Sequence, residues 1–296
     1  MKHLYVHLVV ITLLTACGSG PRYVAGEAVQ NPYVKRANTL AEVGISAMQG
    51  ERWDYALNVF ARALKEAQLS DDLCLVTKQW YNLGAAHVAA GDRQEGLRDF
   101  HAAQVIAERA GDSVMTMRIR LARALLPGQA NTWQPDLLAA KYPVDIHLAA
   151  ARLAQKQKRY HVAKQEYDVV LKQRGRSRMG VLYRAQAHLG LAMLAREEQD
   201  VANAKQEVEA SLGLLRQVGS PRLTAYALLF YGGLEVSAHD RRQSLQRALV
   251  IYQALGDVRG QRVCLIALAK IENHVGDVKS VRAYQQHLES LQGRKD

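Results

Sequence analysis

A large side chain set beside small ones recurs along this chain at a nearly fixed step. Phe60, Phe100, Tyr167, Val208, Leu245 and Gln285 follow one another at intervals of 40, 67, 41, 37 and 40 residues. Each belongs to a pair of segments with helical spacing. Leu40, Val43, Gly44 and Ala47 lead into Ala56, Phe60 and Ala63; Ala150, Ala151 and Ala154 lead into Ala163, Tyr167 and Val170. Leu191, Ala192 and Ala195 precede Ala204, Val208 and Ser211, and Leu228 precedes Leu245 and Ala248. Leu265, Leu268 and Ala269 precede Val281, Gln285 and Leu288, with Leu288 to Leu291 placed to finish a last packing layer. Gly or Ala at a crossing lets two helix backbones approach, and a large side chain one turn on fills the gap left beside it. A hairpin built this way leaves one apolar face bare, which the next hairpin must cover. The pattern therefore predicts an all-α chain of stacked helix hairpins. An unrelated bundle with Ala-rich seams is the alternative, and it has no reason to keep a constant period.

The step of 67 residues spans about two periods, so a degenerate hairpin belongs between Phe100 and Tyr167. Residues 113–126 supply its first helix and Leu137 to Lys141 a short second one, between Pro135 and Pro143. The hairpin around Phe100 is the most specific. It reads Trp80-x-x-Leu83-Gly84-x-x-His87, a Gly91-Asp92 turn, then Gly96, Phe100 and Ala103. This resembles the tetratricopeptide-repeat (TPR) family, and the likeness extends over about 250 residues. It implies an all-α, TPR-like helix-hairpin solenoid of about six clear repeats plus one degenerate, over residues 36–292. His87 stands where the family usually has Tyr. Several repeats run near 40 residues rather than 34, and the usual closing Pro is absent. Longer helices or longer inter-repeat loops would explain both.

Residues 1–16 read as a lipoprotein signal peptide. Met1-Lys2-His3 is basic, and Leu4 to Leu14 is an apolar run too short to span a bilayer. Leu14-Thr15-Ala16-Cys17 resembles the bacterial lipobox, which implies a lipid-anchored Cys17; a plain signal peptide that happens to contain a Cys is the alternative. Residues 17–35, with Gly18-Ser19-Gly20, Pro21 and Pro32, read as a flexible tether. Gly18 rather than Asp follows the Cys, which by the same resemblance implies the outer membrane, facing the periplasm. Cys74 and Cys264 are expected as buried thiols; the exported compartment would also allow a disulfide.

No chemistry is written on the helices. There is no HExxH, C-x-x-C, Gly-rich phosphate loop or G-x-S-x-G elbow. Beyond the signal the chain has His87, His101, His147, His161, His188, His239, His274 and His287, none forming an i, i+4 pair. They read as surface or packing residues. Asp71-Asp72 and Glu197-Glu198 read as solvated caps and faces. No enzyme, metal or cofactor is predicted.

Of a formal net charge of +11, residues 141–185 carry +8. Lys156, Lys158, Arg159, Lys164, Lys172, Arg174, Arg176, Arg178 and Arg184 supply most of it. This is either a solvated face or a docking surface for an anionic partner. The lipobox argues against nucleic acid; in the envelope the candidates are an acidic protein segment, anionic lipid head groups or peptidoglycan carboxylates, and an envelope protein with an acidic segment is the partner expected. The TPR resemblance implies a peptide groove on the first helices, lined by Lys78, Tyr81, Asn82 and Ala85, then Asp145, Leu148, Arg152 and Gln155. Leu223, Tyr226 and Phe230 continue it, and Ile266, Lys270 and Asn273 end it. The expected partner site joins Lys78, Tyr81, Asn82, Arg152, Tyr226 and Phe230 to Lys156, Lys158 and Arg159. Lys78 and Asn82 only hint at the family's carboxylate clamp, so chaperone-tail binding is not expected. The function expected is an envelope adaptor for peptidoglycan synthases or hydrolases. The alternative is an assembly factor, pilotin-like, for a pilus or secretion pore.

Overall fold

A computed structural model describes residues 31–129, 133, 142–173, 175, 177–234 and 237–291. Among them are thirteen helices and no strand. In chain order these are α1 (Pro32–Gln49), α2 (Trp53–Leu69), α3 (Leu73–Ala90), α4 (Arg93–Arg109), α5 (Ser113–Leu125), α6 (Val144–Lys156) and α7 (Tyr160–Lys172). There follow α8 (Arg178–Glu197), α9 (Val201–Val218), α10 (Pro221–Gly232), α11 (Ala238–Ala254), α12 (Val258–Val275) and α13 (Val278–Ser290). The chain forms two compact units, Met1–Glu166 and Tyr167–Asp296, divided inside α7. In the first, each helix from α1 to α6 packs on its neighbours in sequence; in the second, each from α8 to α13 does the same. The all-α, TPR-like hairpin architecture is thus present in both units.

The hairpins are α1/α2, α3/α4, α6/α7, α8/α9, α10/α11 and α12/α13, with α5 as the first helix of the degenerate repeat. Its expected second helix, Leu137 to Lys141, lies outside the described residues. The array starts at Pro32, four residues before the expected boundary. Pro32 occupies the first helical position and Asn31 caps it, its Oδ1 accepting from the Tyr33 N–H at 3.0 Å.

Seven turns share one backbone device. The N–H two or three residues past a helix end reaches back to the carbonyl five residues earlier: Arg52 to Ala47, Asp92 to His87, Asp112 to Ala107, Arg159 to Ala154, Asp200 to Ala195, Asp257 to Tyr252 and Asp277 to Glu272, at 2.8–3.0 Å. The preceding residue is left-handed: Glu51, Gly91, Gly111, Lys158, Gln199, Gly256 or Gly276. Five of the seven closing residues are Asp, and the same Asp opens the next helix by accepting from the N–H three residues on. One residue ends a helix and starts another, so connections stay at two or three residues. The long repeat therefore comes from long helices: α1 to α4 run 18, 17, 18 and 17 residues.

The large-residue sites are buried, with Phe60 at 0%, Phe100 at 2%, Tyr167 at 1%, Val208 at 0% and Leu245 at 1% exposure. Around Phe60, α2 buries Ala56, Val59, Ala63, Leu64 and Ala67, a single 3.6-period stripe. Gln285 departs from the expectation: it is exposed, on a helix with no fully buried residue. Leu291, just past that helix, is buried instead and finishes the layer with half-buried Leu288.

The small partner is often a glycine that tolerates no Cβ. A Cβ on Gly44 would meet the Phe60 ring at 2.5 Å, and one on Gly84 the Phe100 ring at 2.7 Å. Gly96 faces Gly84 directly, its Cβ position 2.9 Å from the Gly84 carbonyl oxygen, so α3 and α4 cross backbone to backbone. Replacing Phe100 with Ala is expected to cost roughly 3–5 kcal/mol, because the pocket over Gly84 cannot collapse. Thermal unfolding measures the loss, and hydrogen exchange is expected to rise first in α3 and α4, the helices that lose the contact.

Candidate functional site

The expected groove row is packed into the protein over most of its length. In the second repeat Lys78 is half-buried, while Tyr81 (3% exposed), Asn82 and Ala85 are core residues. The Tyr81 ring lies 5.5 Å from that of Phe100, tilted by 44°. Asn82 Nδ2 donates to Gln79 Oε1 at 3.2 Å. In the third repeat Asp145, Leu148 and Arg152 are buried and Gln155 half-buried. Arg118 on α5 reaches Asp145 Oδ2 on α6 through Nε and Nη2, both at 2.9 Å, joining two successive first helices by a buried ion pair.

In the second unit Leu223 and Phe230 are buried, and Tyr226 is half-buried. The Arg196 guanidinium lies 4.6 Å over the Phe230 ring. Only Ile266, Lys270 and Asn273 are fully open. Tyr81 and Phe230 are therefore corrected from surface anchors to core aromatics. Their spacing on the first helices fits a groove and a core equally; Tyr81 packs on Phe100 of the second helix of its own hairpin, and Phe230 lies beneath Arg196 of the preceding first helix.

The basic stretch also does internal work. Lys156 donates to the carbonyls of Leu125 and Leu126 at 2.8 and 3.1 Å, closing the end of α5. Partial burial of its ammonium, and secondarily the Arg93 guanidinium, hold Lys156 below the usual lysine range. Arg178 donates to Val218 O at the end of α9, and Arg184 to Gln173 O and Gly175 O just past α7, both at 2.8 Å. Outside the stretch, Arg241 donates to Gly232 O and Arg262 to Leu291 O. Helix C-termini expose orphan carbonyls and a partial negative charge, so cations settle there. Of the three residues expected as an exposed triad, Lys156 and Lys158 are exposed, the first with its ammonium tied to the end of α5 and the second in a left-handed turn, and Arg159 is half-buried. Lys164 is half-buried and Lys172 exposed. Arg174 and Arg176, like Cys17, lie outside the described residues.

Three histidines form a feature that the search for metal spacing missed. His87 Nδ1 meets Asp99 Oδ2 at 2.6 Å, His147 Nδ1 meets Glu166 Oε2 at 2.6 Å, and His188 Nδ1 meets Glu207 Oε2 at 2.7 Å. Each joins the two helices of one hairpin. His147 and His188 are 41 residues apart, as are Glu166 and Glu207. That matched period was the available signal. Burial, opposed by the His87 contact, holds the Asp99 carboxyl above the usual carboxylate range. These pairs fasten hairpins. Among the described residues no group of three or more His, Cys, Asp or Glu could hold a metal. An open hollow in the first unit, bounded by Glu108, Ser113, Thr116, Arg120 and Tyr142, offers no desolvated charge, since Arg120 and Glu108 pair with each other in solvent.

The two cysteines differ. Cys264 is buried as expected, but Cys74, near the start of α3, is exposed. Burial pushes the Cys264 thiol from 9.0 up to about 12. In the folded protein at pH 8, a thiol reagent is expected to modify Cys74 and spare Cys264 until denaturant is added, because the thiolate is the reactive form. The raised value also sets a sign. Stability from the neutral buried thiol is complete below pH 9 and declines as pH rises toward 12, where the unfolded chain ionises first. Replacing Cys264 with Ala is expected to flatten that alkaline decline in pH-dependent melting.

Removing Asp145 alone (Asp145→Ala) is expected to cost about 3–5 kcal/mol, since it takes the carboxylate from a buried guanidinium. The double replacement Arg118→Met with Asp145→Leu is expected to cost much less, and denaturant titration of the two variants makes the comparison.

No protein-family model matches this chain, and no curated protein matches it. Its structure is similar to the crystal structure of BtubC (BKLC) from P. vanneervenii, with 16% sequence identity, covering 83% of this chain and 89% of that one at a TM-score of 0.31.

Proposed function

We propose that this chain is a lipid-anchored, TPR-like adaptor that binds protein partners in the bacterial cell envelope. The observation that carries the reading is the combination of a lipobox-like Leu14-Thr15-Ala16-Cys17 with a body of stacked helix hairpins. Stacked hairpins present extended surfaces, and proteins of this construction use them for binding. The anchor would hold that surface at the outer membrane, facing the periplasm. No described helix is long and apolar enough to cross a membrane, which leaves Cys17 as the attachment this reading relies on. The proposed partners are peptidoglycan synthases or hydrolases that offer an acidic segment.

Ile266, Lys270 and Asn273 on α12 are the open groove positions available to such a segment, with half-buried Tyr226 on α10. Lys158, in the first unit, is a separate exposed cation. Aromatic and aliphatic groups would supply the desolvated contact, and the cations the association rate.

Crosslinking in intact cells followed by mass spectrometry tests the reading. Capture of a cell-wall synthase or hydrolase is expected, and that capture is expected to fall in an Ile266→Asp, Lys270→Glu variant that still folds. Capture of a secretion or pilus pore subunit instead would transfer the protein to the assembly-factor class. Cys17→Ser is expected to abolish membrane attachment. A Ser variant that lost its signal and still sedimented with membranes in high salt would refute the anchor.

A further inference from the structure

The edge of the first unit from which the N-terminal segment leaves carries exposed apolar side chains. α1 starts, α2 ends and α3 starts on this edge, because the three helices run antiparallel through short turns. The 2.7 Å contact between Arg36 Nε and Glu66 Oε2 fixes the alignment, one turn in from the ends of α1 and α2. On the edge itself Tyr33 is 36% exposed, Leu69 53% and Leu73 51%. At the opposite edge the exposed Tyr55 lies under the Arg52 guanidinium, 5.3 Å from its ring centroid.

The charges around the apolar group have both signs. Asp71 and Asp72 are exposed between the two leucines. Arg36 lies 4.6 Å over the Tyr33 ring, beside the exposed Lys35. A surface presenting ammonium and phosphate together complements this set, whereas a purely anionic surface is repelled by the aspartates. Asn31 follows Cys17 by fourteen residues, a reach of at most about 50 Å at roughly 3.5 Å per residue. A lipid on Cys17 would hold the edge at high effective concentration over a bilayer, so that a contact too weak to act alone becomes populated.

We propose that this edge rests on the membrane, with Leu69 and Leu73 entering the headgroup–acyl boundary and Tyr33 at the interface of a zwitterionic, phosphatidylethanolamine-type surface. The inference rests on the lipid-anchor reading and adds an orientation to it. Leucine side chains bury area at the boundary, and tyrosine carries an apolar ring and a polar tip suited to headgroup depth. The first unit would stand with its helix ends toward the bilayer, leaving the faces of its hairpins to the periplasm.

Cys74, exposed and next to Leu73, provides the reporter. The full-length lipidated protein would be labelled there with nitrobenzoxadiazole. It would then be mixed with phosphatidylethanolamine–phosphatidylcholine vesicles carrying a nitroxide at a shallow acyl position. Expected is flotation with the vesicles, a blue shift and quenching of the emission, and less quenching as anionic lipid is added. A Leu69→Ser, Leu73→Ser variant is expected to float equally but to show only the emission of the Cys17→Ser protein free in solution. Flotation with an unshifted, unquenched probe would overturn the inference and leave the anchor standing. Equal quenching in the double serine variant would overturn it too, as would a shift that appears only when envelope proteins are added. Failure to float would overturn the anchor reading itself, and the inference with it.

Discussion

The close crossing of helix backbones over residues without a Cβ is the constraint on which the rest depends. Five crossings use it: Gly44 under Phe60, Gly84 under Phe100, Gly190 under Tyr167, Gly232 under Leu245 and Gly260 under Tyr252. A Cβ at any of these glycines would stand 2.2–2.7 Å from the large side chain, closer than atoms can pack. Three join the helices of one hairpin. The contacts at Gly190 and Gly260 join one hairpin to the next, within the second unit. The same pairing of absent and large side chains therefore makes the hairpin and stacks it.

The other recurring interactions make that stacking repeatable. A turn whose Asp closes one helix and opens the next leaves little slack between successive helices. Cations from elsewhere in the fold satisfy the helix ends that such turns do not close, as Lys156, Arg178 and Arg184 do. Part of the positive charge that looks like a docking field is consequently structural. Among the described residues of the expected groove, those left fully open are Ile266, Lys270 and Asn273 on α12.

Much of the fold was legible because the repeat leaves a mark at each period. Phe60, Phe100, Tyr167, Val208 and Leu245 are buried where the spacing puts them, and α5 begins where the degenerate repeat should. Gln285 is exposed: a constant step says where a site falls, not whether anything covers it. The site was less legible. Tyr81 and Phe230 lie on the helical face that fits a groove, yet how closely first helices stack depends on contacts between repeats, such as Arg118 with Asp145, that no local spacing encodes. The histidine–carboxylate pairs were hidden because a metal search looks within one helix, whereas these partners stand 12 or 19 residues apart, across a turn.

A double-mutant cycle on Gly44 and Phe60 tests the central claim most directly, because the three atoms nearest a Cβ at Gly44 all belong to the Phe60 ring. Gly44→Ala and Phe60→Leu are each expected to destabilise the first hairpin, the one by overpacking and the other by a cavity. Combined, the new methyl enters space the ring has vacated. The double variant should then be more stable than the two losses added, with a coupling of about 1–2 kcal/mol. Additive losses would contradict the account, since they would mean that the glycine and the aromatic ring do not share the crossing.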